Sequence, residues 1–166
     1  MKFDIKYKIG QKEKDSLKKI KHFSQFNRDV SPDGWIQITI GDYEYGFLQD
    51  DSSIDGFEIL ENWFCTFKDI YIKLQSNSRI VFDYWDEPDE FFVFERKNNF
   101  IIIKYYEKIF SLGKQNSNIY EINLIAETSI PEDFFFSKLK EKVNEFWDEV
   151  ESLNPILKGY IDKFKI

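Results

Sequence analysis

Several short segments of the chain alternate apolar with polar residues, the period of two that is typical of half-buried strands. The alternation predicts strands over 3–9 and over 36–40 with its return at 43–47, and Gly41-Asp42 between these two is a turn that hairpins favour. Four further strands are predicted at 79–85, 90–97, 99–107 and 119–126. Ser31-Pro-Asp-Gly34 predicts a turn ahead of the hairpin, because proline presets φ and glycine tolerates positive φ.

Two longer segments repeat their apolar residues every three or four positions. Over 57–75 this spacing predicts an amphipathic helix with a broad apolar face that lies across a sheet. A sparser stripe predicts a helix over 14–26. The last helix is predicted to start at Ser129-Ile-Pro-Glu132, which fits a capping box, and to break or restart at Pro155.

The order of these elements predicts the fold class. Strand, hairpin, helix, meander and helix lack the regular alternation of a parallel, doubly wound fold. We therefore expect one α+β domain over 1–166, with a twisted antiparallel sheet of about six strands and amphipathic helices packed on one face. Aromatic residues make up 19% of the chain, and such large side chains bury enough surface to form a core without disulfides.

The distribution of charged and apolar residues argues against several classes of function. Net charge is −7, and the only basic concentration, Lys12 to Lys21, is interrupted by Glu13 and Asp15, so we expect no nucleic-acid binding. No segment is long and apolar enough for a membrane span. Charges at every second position of the N-terminus do not fit a signal peptide, and we expect a cytoplasmic protein.

Three patterns approach functional motifs without completing them. Asp51 to Gly56 resembles the first half of a calcium loop, but Asn62 stands where a bidentate carboxylate is needed. We therefore favour the alternative, an acidic loop at a helix N-terminus, where carboxylates suit the helix dipole. Gly41 and Gly46 have phosphate-loop spacing without the following Lys-Ser/Thr.

The single histidine and the single cysteine are the third pattern. His22 and Cys65 could form a catalytic pair, but they are 43 residues apart without a surrounding signature. Cys65 falls within the aromatic helix, where free cysteine usually behaves as a small hydrophobe. We therefore expect no catalytic residues, no cofactor and no metal site.

The densest acidic patch surrounds the turn between the strands at 79–85 and 90–97. Three interpretations stay open: a solvated turn, a protein-contact surface with aromatic anchors, and carboxylates for acid–base or metal chemistry. The acidic group Asp42, Glu44, Asp50, Asp51 and Asp55 extends the patch if the first hairpin lies nearby. The candidate partner-binding residues are Asp83, Tyr84, Trp85, Asp86, Glu87, Asp89 and Glu90.

One stretch of sequence resembles a known class of proteins. Gly34-Trp-Ile-Gln-Ile-Thr-Ile-Gly41, an acidic loop and then Gly56-Phe-Glu-Ile-Leu-Glu-Asn-Trp-Phe64 resemble small bacterial proteins of the polymorphic-toxin immunity type, over about 30–105. The resemblance implies a non-enzymatic α+β protein that neutralises a partner toxin, and the acidic patch suggests a basic partner. The alternative is a small-ligand-binding or enzymatic domain with a pocket between sheet and helix.

Overall fold

The computed structural model describes residues 2–26, 30–49, 56–83, 89–112 and 118–166. Within them the strands are β1 (Phe3–Ile9), β2 (Gly34–Ile40), β3 (Tyr43–Gly46), β4 (Arg79–Asp83), β5 (Glu90–Lys97), β6 (Phe100–Leu112) and β7 (Asn118–Pro131). The α-helices are α1 (Gln11–Leu17), α2 (Leu60–Ser76), α3 (Glu132–Leu153) and α4 (Lys158–Ile161), and short 3-10 turns cover Phe23–Gln25 and Pro155–Leu157.

The strands form two antiparallel sheets, ordered β1-β2-β3 and β4-β5-β6-β7. The predicted α+β class, antiparallel pairing and amphipathic helices are confirmed. The structure differs in dividing the strands between two sheets. Strand β3 has only four residues, and the side chains of Tyr43 and Tyr45 pack on Tyr105 of β6 instead of the strand pairing with the second sheet.

The two sheets and the two long helices share one apolar interior. Strand side chains on the inner faces, such as Ile38 and Phe92, meet the buried stripes of α2 and α3 there. The stripe of α2 consists of Leu60, Trp63, Phe64, Phe67, Ile70 and Leu74. The stripe of α3 consists of Phe135, Leu139, Val143, Phe146, Trp147 and Val150.

The longest ladder joins β6 to β7, from Phe100 opposite Pro131 to Leu112 opposite Asn118. Strand β5 pairs with β6 only as far as Glu107. The last rungs, 108–112 with 118–122, therefore extend beyond β5 as a two-stranded ribbon, which we call the β6–β7 ribbon. A bulge opposite Tyr105 and Tyr106 leaves Ile125 without a direct partner on β6.

Local predictions failed where tertiary contacts replaced local signals. The first helix is α1, not 14–26, and it ends at Leu17. The side chain of Asn154 donates hydrogen bonds to the carbonyl oxygens of Leu17 (2.9 Å) and Ile20 (2.8 Å). Helix ends need partners for such carbonyls, so Asn154 stabilises the end of α1 at this point.

Two predicted boundary motifs are also wrong. Residues 31–33 have no regular structure, and Gly34 begins β2 opposite Ile9 instead of closing a turn. Ser129 lies in β7, where it pairs with Ile102, so it cannot cap a helix. Pro131 occupies the N-cap of α3, with no side-chain capping bond. The long β6–β7 ladder continues through the position where local sequence predicted a helix start.

Candidate functional site

The structure describes only part of the acidic patch that the sequence predicts around 83–90. Asp83 ends β4, Asp89 precedes β5, and Glu90 is the first residue of β5. Tyr84, Trp85, Asp86 and Glu87 lie outside the described residues.

Asp83 and Glu90 lie on opposite faces of the second sheet. Asp83 pairs in register with Phe91, whereas Glu90 shares the face of Phe92, which points into the core. On its outer face the carboxylate of Asp83 lies 3.5 Å from the Lys108 Nζ. Such an exposed ion pair contributes little to stability. Asp83 and Glu90, the two ends of the predicted acidic patch, therefore belong to different surfaces.

The outer face beside Asp83 carries an aromatic pair that sequence reasoning missed. Phe91 and Tyr106 are register partners whose rings stack with centroids 4.9 Å apart. The Lys108 Nζ lies 5.2 Å from the centroid of Phe91, within the range of a cation–π contact. This lysine is thus shared between a carboxylate and an aromatic face.

On the inner face, Glu90 is part of a hydrogen-bonded network with two tyrosines. The Tyr105 hydroxyl donates to the Glu90 carboxylate, and burial together with this neighbouring charge raises the pKa of Tyr105. The Tyr43 and Tyr105 hydroxyls hydrogen-bond to each other. Burial raises the pKa of Tyr43, the hydrogen bond with Tyr105 offsets part of that rise, and the carboxylates of Glu90 and Glu107 add to it. Both tyrosines therefore stay protonated at neutral pH.

Tyr43 comes from the first hairpin, so that hairpin does lie beside Glu90. Its ring stacks on Tyr105 with centroids 5.3 Å apart, and Asp42 precedes it in the turn. Glu44, the next residue of β3, accepts a hydrogen bond from the Gln37 side chain at 3.0 Å. Asp50, Asp51 and Asp55 lie outside the described residues.

A second carboxylate faces Glu90 directly. Glu107 of β6 is its register partner, and opposite residues of an antiparallel pair have Cβ atoms about 5 Å apart. In the part of the chain that the structure describes, neither carboxylate forms an ion pair with a lysine or arginine. Like charges in this arrangement repel each other. We call Tyr43, Glu90, Tyr105 and Glu107 the acidic tyrosine site.

One sequence signal fixes the pairing of Glu90 with Glu107. Asn98 and Asn99 have φ values of 53° and 62°, and two successive residues with positive φ form the tight turn that hairpins favour. The turn aligns Lys97 with Phe100 and therefore Glu90 with Glu107. No local signal indicated that Tyr43 would join them, because that contact connects two separate hairpins.

The other candidate motifs do not assemble into sites. Burial raises the pKa of the Cys65 thiol to about 12, and Glu61 and Asp69 add to the effect, so the thiolate needed for nucleophilic attack is scarce at neutral pH. His22 precedes a 3-10 turn, where its backbone amide donates to Gln25 Oε1 at 3.1 Å. The described residues show no contact between His22 and Cys65.

Neither the metal motif nor the phosphate motif gains support. Residues 51–55 of the predicted calcium-like loop lie outside the described residues, and Asn62 lies in the first turn of α2. Gly41, with φ of 62°, forms the hairpin turn, and Gly46 ends β3. Among the described residues, no group of three His, Cys, Asp or Glu side chains could hold a metal ion.

Among the described residues, the apolar cavity between the sheets and the helices is too small for an organic ligand. It is about 10 Å³, is lined by apolar side chains such as Ile38, Trp63 and Leu139, and has room for about one water molecule.

No protein-family model, curated protein or solved structure matches the chain. In the described residues, no helix has the length and apolarity required to cross a membrane.

Proposed function

We propose that the protein is a non-enzymatic protein-binding domain of the immunity type, which neutralises a partner toxin by covering a basic surface. The contact surface is the acidic tyrosine site, which includes Glu90 of the predicted partner-binding residues, whereas Asp83 lies on the opposite face of the sheet. Residues 84–87, which lie between these two in the sequence, stay predicted partner-binding residues. The observation that carries the proposal is the direct opposition of Glu90 and Glu107 beside the ring of Tyr43.

The chemistry of the acidic tyrosine site suits a cationic side chain of a partner. A guanidinium group between Glu90 and Glu107 replaces their repulsion with two charge-assisted interactions. The ring of Tyr43, which is half-buried, offers a stacking surface beside them. A net charge of −7 further accelerates encounter with a basic partner.

The packing of the interior favours a surface function over a ligand pocket. A ligand site usually has a volume of about 300–1,000 Å³. The space of about 10 Å³ between sheet and helix is far below that range. The acidic tyrosine site, by contrast, is reached from the surface, because Glu107 is exposed and Glu90 is half-buried.

The test is binding to the purified product of the gene adjacent to that of this protein, measured by calorimetry at low and high salt. The double variant Glu90→Gln/Glu107→Gln should weaken binding about tenfold or more at low salt and reduce its salt dependence. The matched control is Glu141→Gln, an exposed carboxylate on α3 that pairs with Lys138.

The outcomes separate the two parts of the proposal. Tight, salt-insensitive binding that the double variant leaves unchanged would show that the acidic tyrosine site is not the contact surface. No binding to the neighbouring product would overturn the immunity assignment. Loss of affinity cannot be assigned to unfolding if the variant retains its denaturation midpoint, which is expected because the substitutions remove a repulsion.

A further inference from the structure

The edges of the second sheet are β4 and β7, and the edge of β7 is the longer of the two. β7 pairs with β6 on one side, and among the described residues no strand pairs with its other side. The hairpin turn at Gly41 lies beside Glu127 and Thr128, where a Cβ on Gly41 would be 3.5 Å from the Glu127 carbonyl oxygen. Among the described residues, the part of this edge that has no neighbouring strand or turn is therefore 118–125.

This segment has little of the usual protection of an edge strand, namely one charged residue, Glu121, and the bulge at Ile125. Natural edges carry charges, proline or a covering element, because unpaired N–H and C=O groups attract other strands. Between 118 and 126 the only charged residue is Glu121, in a chain that is 32% charged. All of residues 121–125 are exposed, including Ile122 (61%), Leu124 (49%) and Ile125 (39%).

The β6–β7 ribbon would also be stabilised by a third strand. Its five rungs extend beyond β5 with only two strands, and a two-stranded ribbon is marginally stable in water. A third strand beside β7 would satisfy the free backbone groups and cover Ile122 and Leu124.

We propose that the third strand is β7 of a second copy of this chain, paired antiparallel about a two-fold axis at Asn123. This register places Ile122 of each copy opposite Leu124 of the other, so that apolar side chains meet on the outer face. A two-fold axis perpendicular to the sheet keeps each face on its own side, and the interface closes after two copies.

Charge decides between this register and its nearest alternative. An axis at Ile122 would place the two Glu121 side chains diagonally, about 7–8 Å apart on one face. An axis at Asn123 separates them by four residues, or about 13 Å along the strands. The pairing is therefore apolar on the outer face and free of close like charges, which lets a chain with net charge −7 associate with itself at this edge.

A cysteine crosslink tests both the pairing and the register. In a Cys65→Ala background, Asn123→Cys should form an intermolecular disulfide under mild oxidation, because directly opposite Cα atoms lie about 4.5–5.5 Å apart. Glu121→Cys is the matched control: its two copies are too distant for a disulfide in this register. Equal crosslinking at both positions, or crosslinking at 121 alone, would overturn the register.

Sedimentation equilibrium of the unmodified chain tests the assembly itself. We expect twice the 20.1 kDa mass of the chain. Ile122→Lys should raise the dimer dissociation constant about tenfold or more, because both symmetric Ile122–Leu124 pairs are lost. Ile72→Lys on α2, with a similarly exposed isoleucine (51%), is the control and should stay dimeric. A wild-type mass of 20.1 kDa at the highest concentration reached would overturn the proposal.

Discussion

Phe64 of α2 stacks on Phe146 of α3 with ring centroids 4.1 Å apart and planes within 6° of parallel. Both side chains are fully buried. Tyr7 of β1 packs edge-on against both rings, at 5.0 and 5.5 Å. Three elements that are distant in sequence thus meet at one aromatic contact.

Removing either ring of this stack should be among the most destabilising changes in the chain. Phe64→Ala or Phe146→Ala leaves a cavity that rigid neighbours cannot fill, and we expect a loss of about 3–5 kcal/mol in the free energy of unfolding. Urea denaturation midpoints measure it. Ile72→Ala, at an exposed position of α2, should change stability by less than about 0.5 kcal/mol. Similar losses at Phe64 and Ile72 would contradict the stack as a centre of stability.

The buried side chain of Asn154 should contribute more to the stability of the fold than an exposed asparagine that makes similar hydrogen bonds. Asn154→Ala leaves the carbonyls of Leu17 and Ile20 without their donor, at an expected cost of about 2–4 kcal/mol. Asn77→Ala also removes a bond to a carbonyl, that of Lys73, but at an exposed site where water replaces it. Hydrogen exchange should show that α1 opens more readily in the Asn154 variant. Equal stability of the two variants would contradict the role of Asn154 in ending α1.

Substitution by alanine should change stability in opposite directions at two glycines, Gly34 and Gly159. At Gly34 a Cβ would overlap the carbonyl oxygen of Lys8 on the paired strand, and the backbone cannot move without breaking the β1–β2 ladder. Gly34→Ala should therefore cost about 1–3 kcal/mol or more. At Gly159 of α4 a Cβ meets nothing within 4 Å, so alanine should stabilise the helix by about 0.5–1 kcal/mol. Thermal denaturation of both variants tests the contrast, and destabilisation of both would refute it.

The raised pKa of Tyr105 predicts a loss of stability in alkali. The unfolded tyrosine ionises near its ordinary value of 10.0, whereas the folded residue keeps its proton. Above that pH the unfolded state binds fewer protons, so the free energy of unfolding falls as pH rises, by up to about 1.4 kcal/mol per pH unit for this group. Below it, this contribution to stability is fully present.

Tyr105→Phe removes the ionisable group and should flatten this decline between about pH 9 and 11. At neutral pH the same variant should lose about 1 kcal/mol, because Glu90 loses a hydrogen-bond donor. Denaturation midpoints across this pH range measure both effects. Tyr7, whose pKa is also raised by burial, retains its own alkaline slope in the variant. An unchanged slope in Tyr105→Phe would show that the hydroxyl is not held in its neutral form.

Secondary structure could be predicted wherever one periodic pattern ran without interruption. Strands β1 and β5 have the predicted bounds, and the first hairpin and α2 were predicted within a few residues. Strand β1 and helix α2 bury one face, and burial of one face imposes the same period on sequence and structure. Predictions failed at the end of α1 and at Ser129, where Asn154 and the β6–β7 ladder outweigh local preferences.

For the candidate site, the sequence determined the supply of carboxylates and, through the Asn98-Asn99 turn, the opposition of Glu90 and Glu107. Only the tertiary structure decided that Asp83 lies on the other face and that Tyr43 joins Glu90 from a separate hairpin. The register of a hairpin depends on residues that are close together in the sequence, so a local pattern can determine it. The packing of one sheet on another depends on the fit of many distant side chains, and no local pattern encodes it.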